Sequence, residues 1–170
     1  IELSQIPNKN SITTNYDEIT NHSDIRTHIT IKATIGSFIN YGVITNAGGG
    51  SLFNVGVLNL TNGIGTGHIT NFINYGSIVG DTWVDRNGHI DTVTNYGYMG
   101  GIGFESELTT TTIINNLGIM SRGYNGVWNS NIGTGKNTVL IQNYAIKIDE
   151  NADTFSKFNP ATTTTEQGKT

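Results

Sequence analysis

Hydrophobic positions along this chain recur in a fixed frame around asparagine. Phe38-Ile39-Asn40-Tyr41-Gly42 returns as Phe72-Ile73-Asn74-Tyr75-Gly76, as Val93-Thr94-Asn95-Tyr96-Gly97 and as Ile114-Asn115-Asn116-Leu117-Gly118. Further copies read Leu52-Phe53-Asn54-Val55-Gly56 and Ile141-Gln142-Asn143-Tyr144-Ala145, with a weaker one at Thr14-Asn15-Tyr16-Asp17. The flanks keep the same frame. Four residues after the Asn stand Ile44, Leu58, Ile78, Met99 and Met120; five before it stand Ile35, Ile69 and Ile90; nine after it, Trp83 and Phe104 match. The Asn-to-Asn intervals from Asn40 onward are 14, 20, 21, 21 and 27 residues.

Each unit therefore holds short apolar runs broken by Asn and Gly. Ile, Val and Thr favour a pleated, half-buried strand, whereas Asn and Gly favour turns. No unit shows an apolar period of 3.6, and Ala and Leu are scarce. A strand-rich repeat of this length predicts an all-β chain: a right-handed parallel β-helix, or β-solenoid, of about six to seven rungs with a repeat near 20–21 residues. A leucine-rich-repeat horseshoe also repeats at about 20–29 residues with an Asn, but the Leu spacing here is wrong for it.

The frame assigns a job to each position. The apolar residue two before the Asn is expected to point inward, giving a core stack of Phe38, Phe72, Val93, Ile114 and Ile141. The Asn itself marks a corner, where it tolerates unusual backbone angles and hydrogen-bonds locally. Stacked copies are expected to bond to one another as an amide ladder of Asn40, Asn74, Asn95, Asn116 and Asn143. The Gly two residues later relieves crowding past the bend. Whether the Tyr series (Tyr41, Tyr75, Tyr96, Tyr144) faces in or out is not decided by this pattern.

Three places depart from the frame. The 14-residue interval before Asn54 means either a small rung or a different corner of one 34-residue turn spanning Asn46–Ser51. The 27-residue interval before Asn143 implies an insertion around 121–135, and the last copy loses its Gly and sets Lys147 where an apolar residue is expected. Residues 1–30 carry the frame poorly and read as an irregular N-terminal rung or cap, residues 31–150 as the solenoid repeats, and residues 151–170 as a C-terminal cap or linker. In that last segment the expectation is either that Phe155 and Phe158 fold back over the final rung or that a further module follows in a parent chain. An uncovered end would expose a sheet edge.

Composition narrows the function. Charged residues make up 13% of the chain and the net charge is −4, which leaves no electrostatic footprint for nucleic acid. The absence of Cys removes disulfides and thiolate chemistry. No apolar run approaches the roughly 20 residues of a membrane-spanning helix. The opening "IELSQIPNKN" lacks the basic-then-apolar order of an export signal and does not begin with Met, so the expectation is a mature portion or a piece of a longer chain.

Candidate chemistry is sparse. His68 and His89 each stand six residues before their Asn, so they stack on adjacent rungs with Asp91 nearby. A metal site needs three or four converging ligands, and the expectation is a solvated turn position with no metal and no cofactor. Asp81, Asp85, Asp91, Glu105 and Glu107 are the carboxylates of the middle rungs. Among them Asp81 and Asp85, with Trp83 and Arg86, form the best candidate for a polysaccharide-degrading groove, which needs paired carboxylates about 5–9.5 Å apart; otherwise Trp83 and Phe104 shield one side of the rod. "NIGTGKNT" at 131–138 fails as a phosphate loop because Ser130 stands where the first Gly belongs and Asn137 follows the Lys. The Thr runs at 109–112 and 162–165 lack the one-Thr-per-rung recurrence of an ice-binding face. No catalytic residue is assigned.

The repeated N-[Y/V/L]-G-x-[I/L/M] frame, set in Asn/Thr/Gly/Ile-rich sequence without Cys, resembles the passenger regions of bacterial autotransporters, and among them the vacuolating-cytotoxin-like surface proteins of Helicobacter and relatives. The resemblance covers about 35–148. It implies a β-helix displayed or released at the outer membrane of a Gram-negative bacterium, acting in adhesion or toxin-like contact with a host or cell-surface receptor, protein or glycan. On that reading the chain is a non-enzymatic surface scaffold. The alternatives are a carbohydrate-active β-helix and a structural fibre or surface-layer unit that self-associates end to end or laterally.

Overall fold

The computed structural model describes residues 1–45, 58–60, 67–86, 88–106, 110–120, 127–129, 138–143 and 162–167. Alternating burial drives the chain into strands: Ile35, Phe38 and Asn40 of one segment are buried while their neighbours are partly or fully exposed. The strands are β1 (Tyr16–Asn21), β2 (Asp24–Arg26), β3 (Ile29–Ile31), β4 (Thr34–Asn40), β5 (Val43–Thr45), β6 (Leu58–Leu60), β7 (His68–Asn74) and β8 (Ser77–Arg86). They continue as β9 (His89–Asn95), β10 (Tyr98–Ser106), β11 (Thr111–Asn116), β12 (Ile119–Met120), β13 (Val127–Asn129), β14 (Thr138–Asn143) and β15 (Thr162–Gln167). No α-helix occurs among the described residues.

Two mainly parallel sheets result. The first runs β1-β4-β7-β9-β11-β14-β15. The second holds β2-β5-β8-β10-β12, together with β3-β6-β8 and β13 on β10. Strands joined by a turn thus lie in different sheets or different rows, and hydrogen-bonded neighbours come from successive sequence units. Among the described strands only β14 with β15 pairs antiparallel.

Register puts like residues together. In the first sheet Ile19, Phe38, Phe72, Val93, Ile114 and Ile141 are in line from strand to strand. All six are fully buried. Tyr16 lines up with Ile35, and Ile35, Ile69 and Ile90 continue that row. In the second sheet Ile25, Ile44, Ile78, Met99 and Met120 are in line, as are Ile31, Leu60, Val84 and Phe104. Burying each such side chain is worth about 1.5–3 kcal/mol, so these rows form the core that binds one unit to the next.

Several expectations change. Asn40 pairs directly with Asn74, and Leu58 lies in register with Ile29 and Thr82 instead of with Ile44 and Ile78. Of the two readings of the 14-residue interval, the register favours the single 34-residue turn from Asn40 to Asn74; Asn54 lies outside the described residues. Trp83 and Phe104 do not match either. β8 carries one more residue than β10 between Ile78 and Asp81, so Trp83 faces Gly103 and Phe104 faces Val84. Gly80, at the extra position, has φ 135°, a conformation open to glycine but not to most side chains. Phe104 is consequently core and shields nothing, while Trp83 is half-buried between buried Thr82 and Val84.

Regular pairing starts at Tyr16, upstream of residue 31, and the missed copy of the frame is Ile19-Thr20-Asn21-His22-Ser23, not the one at Asn15. Residues 1–13 form two short 3-10 turns that lie against this first unit, bridging Glu2 to Thr20 and Ile12 to Ile31. At the other end the Thr run pairs antiparallel along β14 as β15. Phe155, Phe158 and Lys147 lie outside the described residues.

Candidate functional site

The corner after the first sheet is built from Asn and the residue that follows it. The Asn21 amide nitrogen donates to Asn40 Oδ1 at 2.8 Å, Asn40 to Asn74 at 2.8 Å, Asn74 to Asn95 at 2.8 Å and Asn95 to Asn116 at 2.9 Å. Each Nδ2 has a second hydrogen, which is shared among backbone carbonyls. For Asn74 these are Gly76 O at 3.2 Å and Tyr98 O at 3.0 Å; for Asn95 they are Gly97 O at 3.2 Å and Ile119 O at 3.1 Å. All five side chains are buried. The position needs an acceptor and two donor hydrogens on one short side chain, which is why Asn holds it and not Asp, which has no donor when ionised, or Ser, which has one. Asn143 is in register with Asn116.

Gly closes the same corner. A Cβ built on Gly76 would run into the carbonyl oxygen of Gly42, and one on Gly97 into that of Gly76. The clash points toward the preceding strand. Ser23 takes the position in β2's unit because β2 is the edge of its sheet, with no strand beyond it.

The residue after each Asn turns outward. Tyr41, Tyr75 and Tyr96 are each 48% exposed. Their rings stack at 5.1 and 4.8 Å between centroids and within 4° of parallel. His22 extends the row, 4.8 Å from Tyr41. Leu117 continues it as an exposed apolar residue. The spacing follows the separation of neighbouring strands, about 4.7–4.9 Å, so a continuous aromatic strip runs across four strands.

Below the first unit, Glu2 holds the 1–13 segment in place. Its carboxylate accepts from the His22 amide at 2.8 Å and the Thr20 hydroxyl at 3.1 Å, and its Oε2 lies 3.0 Å from His22 Nδ1. Partial burial opposes ionisation, but the hydrogen bonds from His22 and Thr20 outweigh it and the carboxyl ionises below its ordinary value.

His68 and His89 are the first residues of β7 and β9, not turn residues, and they pair in register. Their rings stack 5.2 Å apart. Asp91, two residues after His89 on the same strand, reaches both: Oδ1 lies 2.6 Å from His89 Nε2 and Oδ2 3.1 Å from His68 Nε2. Burial holds the His89 imidazole below its usual pKa; Asp91 opposes that shift and His68 adds to it.

Asp81 is buried among core residues, and the half-buried Asp85 of β8 lies in register with Glu105 of β10. Asp91 faces imidazoles rather than a second carboxylate. The Arg86 and Glu105 side chains and all of Glu107 lie outside the described residues. Sequence reasoning missed Asn21, His22 and Glu2. The signal for Asn21 was present in Ile19 two residues before it and Ile25 four after it.

No helix among the described residues is long and apolar enough to cross a membrane. Compared with known proteins, the chain matches no family model, no curated protein and no solved structure.

Proposed function

We propose that this chain is a right-handed parallel β-solenoid that acts as a non-enzymatic interaction scaffold. The paired, in-register units support the winding: the chain passes from the first sheet to the two rows of the second and returns one strand further on. Right-handed crossover is the rule for parallel strands. The observation that carries the functional reading is the strip His22–Tyr41–Tyr75–Tyr96, the repeated position that faces solvent while the Asn and the core apolar residues face in. Aromatic rings combine large contact area with a polar tip and are enriched at recognition surfaces. The partner is a cell-surface receptor, protein or glycan. The resemblance to autotransporter passengers supports a secreted or outer-membrane-displayed location in a Gram-negative bacterium.

The carbohydrate-active alternative is disfavoured by the burial of Asp81 and by the engagement of Asp91 with two imidazoles. End-to-end fibre assembly is disfavoured by residues 1–13 and β15, which cover the first and last strands of the parallel row. The test is binding of the labelled chain to cultured epithelial cells and to a glycan array. Replacing Tyr41, Tyr75 and Tyr96 together by Ser is expected to abolish binding while the β-type circular dichroism is kept. Undiminished binding by the folded variant, or cleavage of a polysaccharide by the parent chain, would contradict the proposal.

A further inference from the structure

His68 and His89 are 21 residues apart, yet the strand register sets them side by side. Their backbones are pinned: the His68 amide donates to Ala33 O at 3.0 Å and the His89 amide to Gly67 O at 2.9 Å. Asp91 follows His89 by two residues, which returns its side chain to the same face of the strand. One ligand atom from each of the three residues lies within 4.8 Å of the other two. His68 Nε2 is buried, with Asp91 Oδ2 at ion-pair distance, 3.1 Å, and no hydrogen bond to any other group. A buried ring nitrogen facing a carboxylate, with a second imidazole stacked beside it, brings three potential ligand atoms together.

We propose that His68, His89 and Asp91 form a divalent transition-metal site that clips β7 to β9. The ligands are Nε2 of each histidine and one carboxylate oxygen of Asp91, with the remaining position open to solvent. Two imidazoles and a carboxylate, with no thiolate in the chain, suit Zn²⁺ and its neighbours Co²⁺ and Ni²⁺ rather than Ca²⁺ or Mg²⁺. Metal–ligand bonds of about 2.0–2.2 Å in a tetrahedron place ligand atoms about 3.3–3.5 Å apart, and the present separations bracket that value. Among the described residues the site occurs once in the row. Thr34 occupies the matching position before His68, and a threonine, Thr110, follows in the next unit.

The test uses the full chain with Zn²⁺ and Co²⁺ as probes. Titration calorimetry is expected to show one Zn²⁺ per chain, and Co²⁺ is expected to give the visible absorption of a four- or five-coordinate N/O site. His68→Phe, His89→Phe (which keep a stacked ring) and Asp91→Asn should each weaken Zn²⁺ binding by at least about tenfold. A double change of His22 and His28 to Phe should leave it unaltered. Should a site variant fail to fold, imidazole ¹⁵N spectra of the parent chain decide instead. Zn²⁺ is then expected to shift the nitrogens of His68 and His89 and to leave those of His22 and His28 in place. Zn²⁺ binding that persists in the folded variants, shifts confined to His22 or His28, or no uptake at millimolar Zn²⁺ would each overturn the proposal.

Discussion

Asn74 donates its side-chain amide to Asn95 Oδ1 at 2.8 Å across 21 residues of sequence, and both side chains are fully buried. The bond is one step of a one-way relay in which the amides of Asn21, Asn40, Asn74 and Asn95 each hand a hydrogen to the carbonyl of the next Asn. A relay of this kind fixes register. A one-residue slip would move the Asn outward and the Tyr inward, leaving buried backbone carbonyls without donors.

Asn74→Ala is expected to cost about 1–3 kcal/mol for each partner it orphans, namely the Asn40 amide and the Asn95 carbonyl. Asn74→Asp is expected to be worse near neutral pH, since it removes the donor and buries a charge. Urea denaturation of both variants checks the order.

Gly97→Ala forces a methyl group into the Gly76 carbonyl and is expected to cost about 1–3 kcal/mol or more. Ser23→Ala, the same position at the sheet edge, is expected to stay within about 0.5 kcal/mol of the parent. Equal effects at the two positions would mean that the close approach is not what selects glycine.

Thr→Val is expected to change sign between two buried sites. Thr112 is buried in register with Val139 and donates to Ile90 O at 2.7 Å, so Thr112→Val loses a hydrogen bond worth about 0.5–1.5 kcal/mol. Thr82 is fully buried with an unpartnered hydroxyl, so Thr82→Val is expected to raise stability by about 1 kcal/mol. Thermal unfolding of the two variants side by side gives the answer.

Acid is expected to release the 1–13 segment. Glu2 ionises below its ordinary value of 4.5 in the folded chain, so the stabilisation it brings is complete above that pH and is lost as the pH falls through the lower folded value. Glu2→Gln should remove this part of the pH dependence. Amide exchange of Thr20 and His22, whose N–H groups this segment covers, follows the release directly.

Much of the fold was legible because each row repeats one kind of residue. The core stack from Phe38 to Ile141 and the Asn row from Asn40 to Asn116 could be written down from spacing alone. What stayed hidden depended on local geometry. Asn54 sits in a sequence that imitates the frame, but only the pairing of Leu58 with Ile29 reveals a longer circuit. Trp83 and Phe104 share a spacing that the extra residue at Gly80 cancels.

Asn21 escaped notice because an edge strand does not require glycine, and so its copy reads Asn-His-Ser. The direction of the tyrosines could not be read because an aromatic ring packs well on either side of a sheet. Burial of the adjacent Asn decides it. His68, His89 and Asp91 were each visible, but the reach of one carboxylate to both rings is a matter of distances.

The most direct measurement is disulfide trapping in this Cys-free chain. Tyr75→Cys with Tyr96→Cys, and Tyr41→Cys with Tyr75→Cys, place thiols on neighbouring strands at Cα separations suited to a disulfide, about 4.4–6.8 Å. Both pairs are expected to oxidise rapidly without loss of β structure, whereas Tyr41→Cys with Tyr96→Cys, two strands apart, is expected to stay reduced. Ready oxidation of the 41/96 pair, with the 41/75 and 75/96 pairs inert, would contradict the stacked, in-register arrangement.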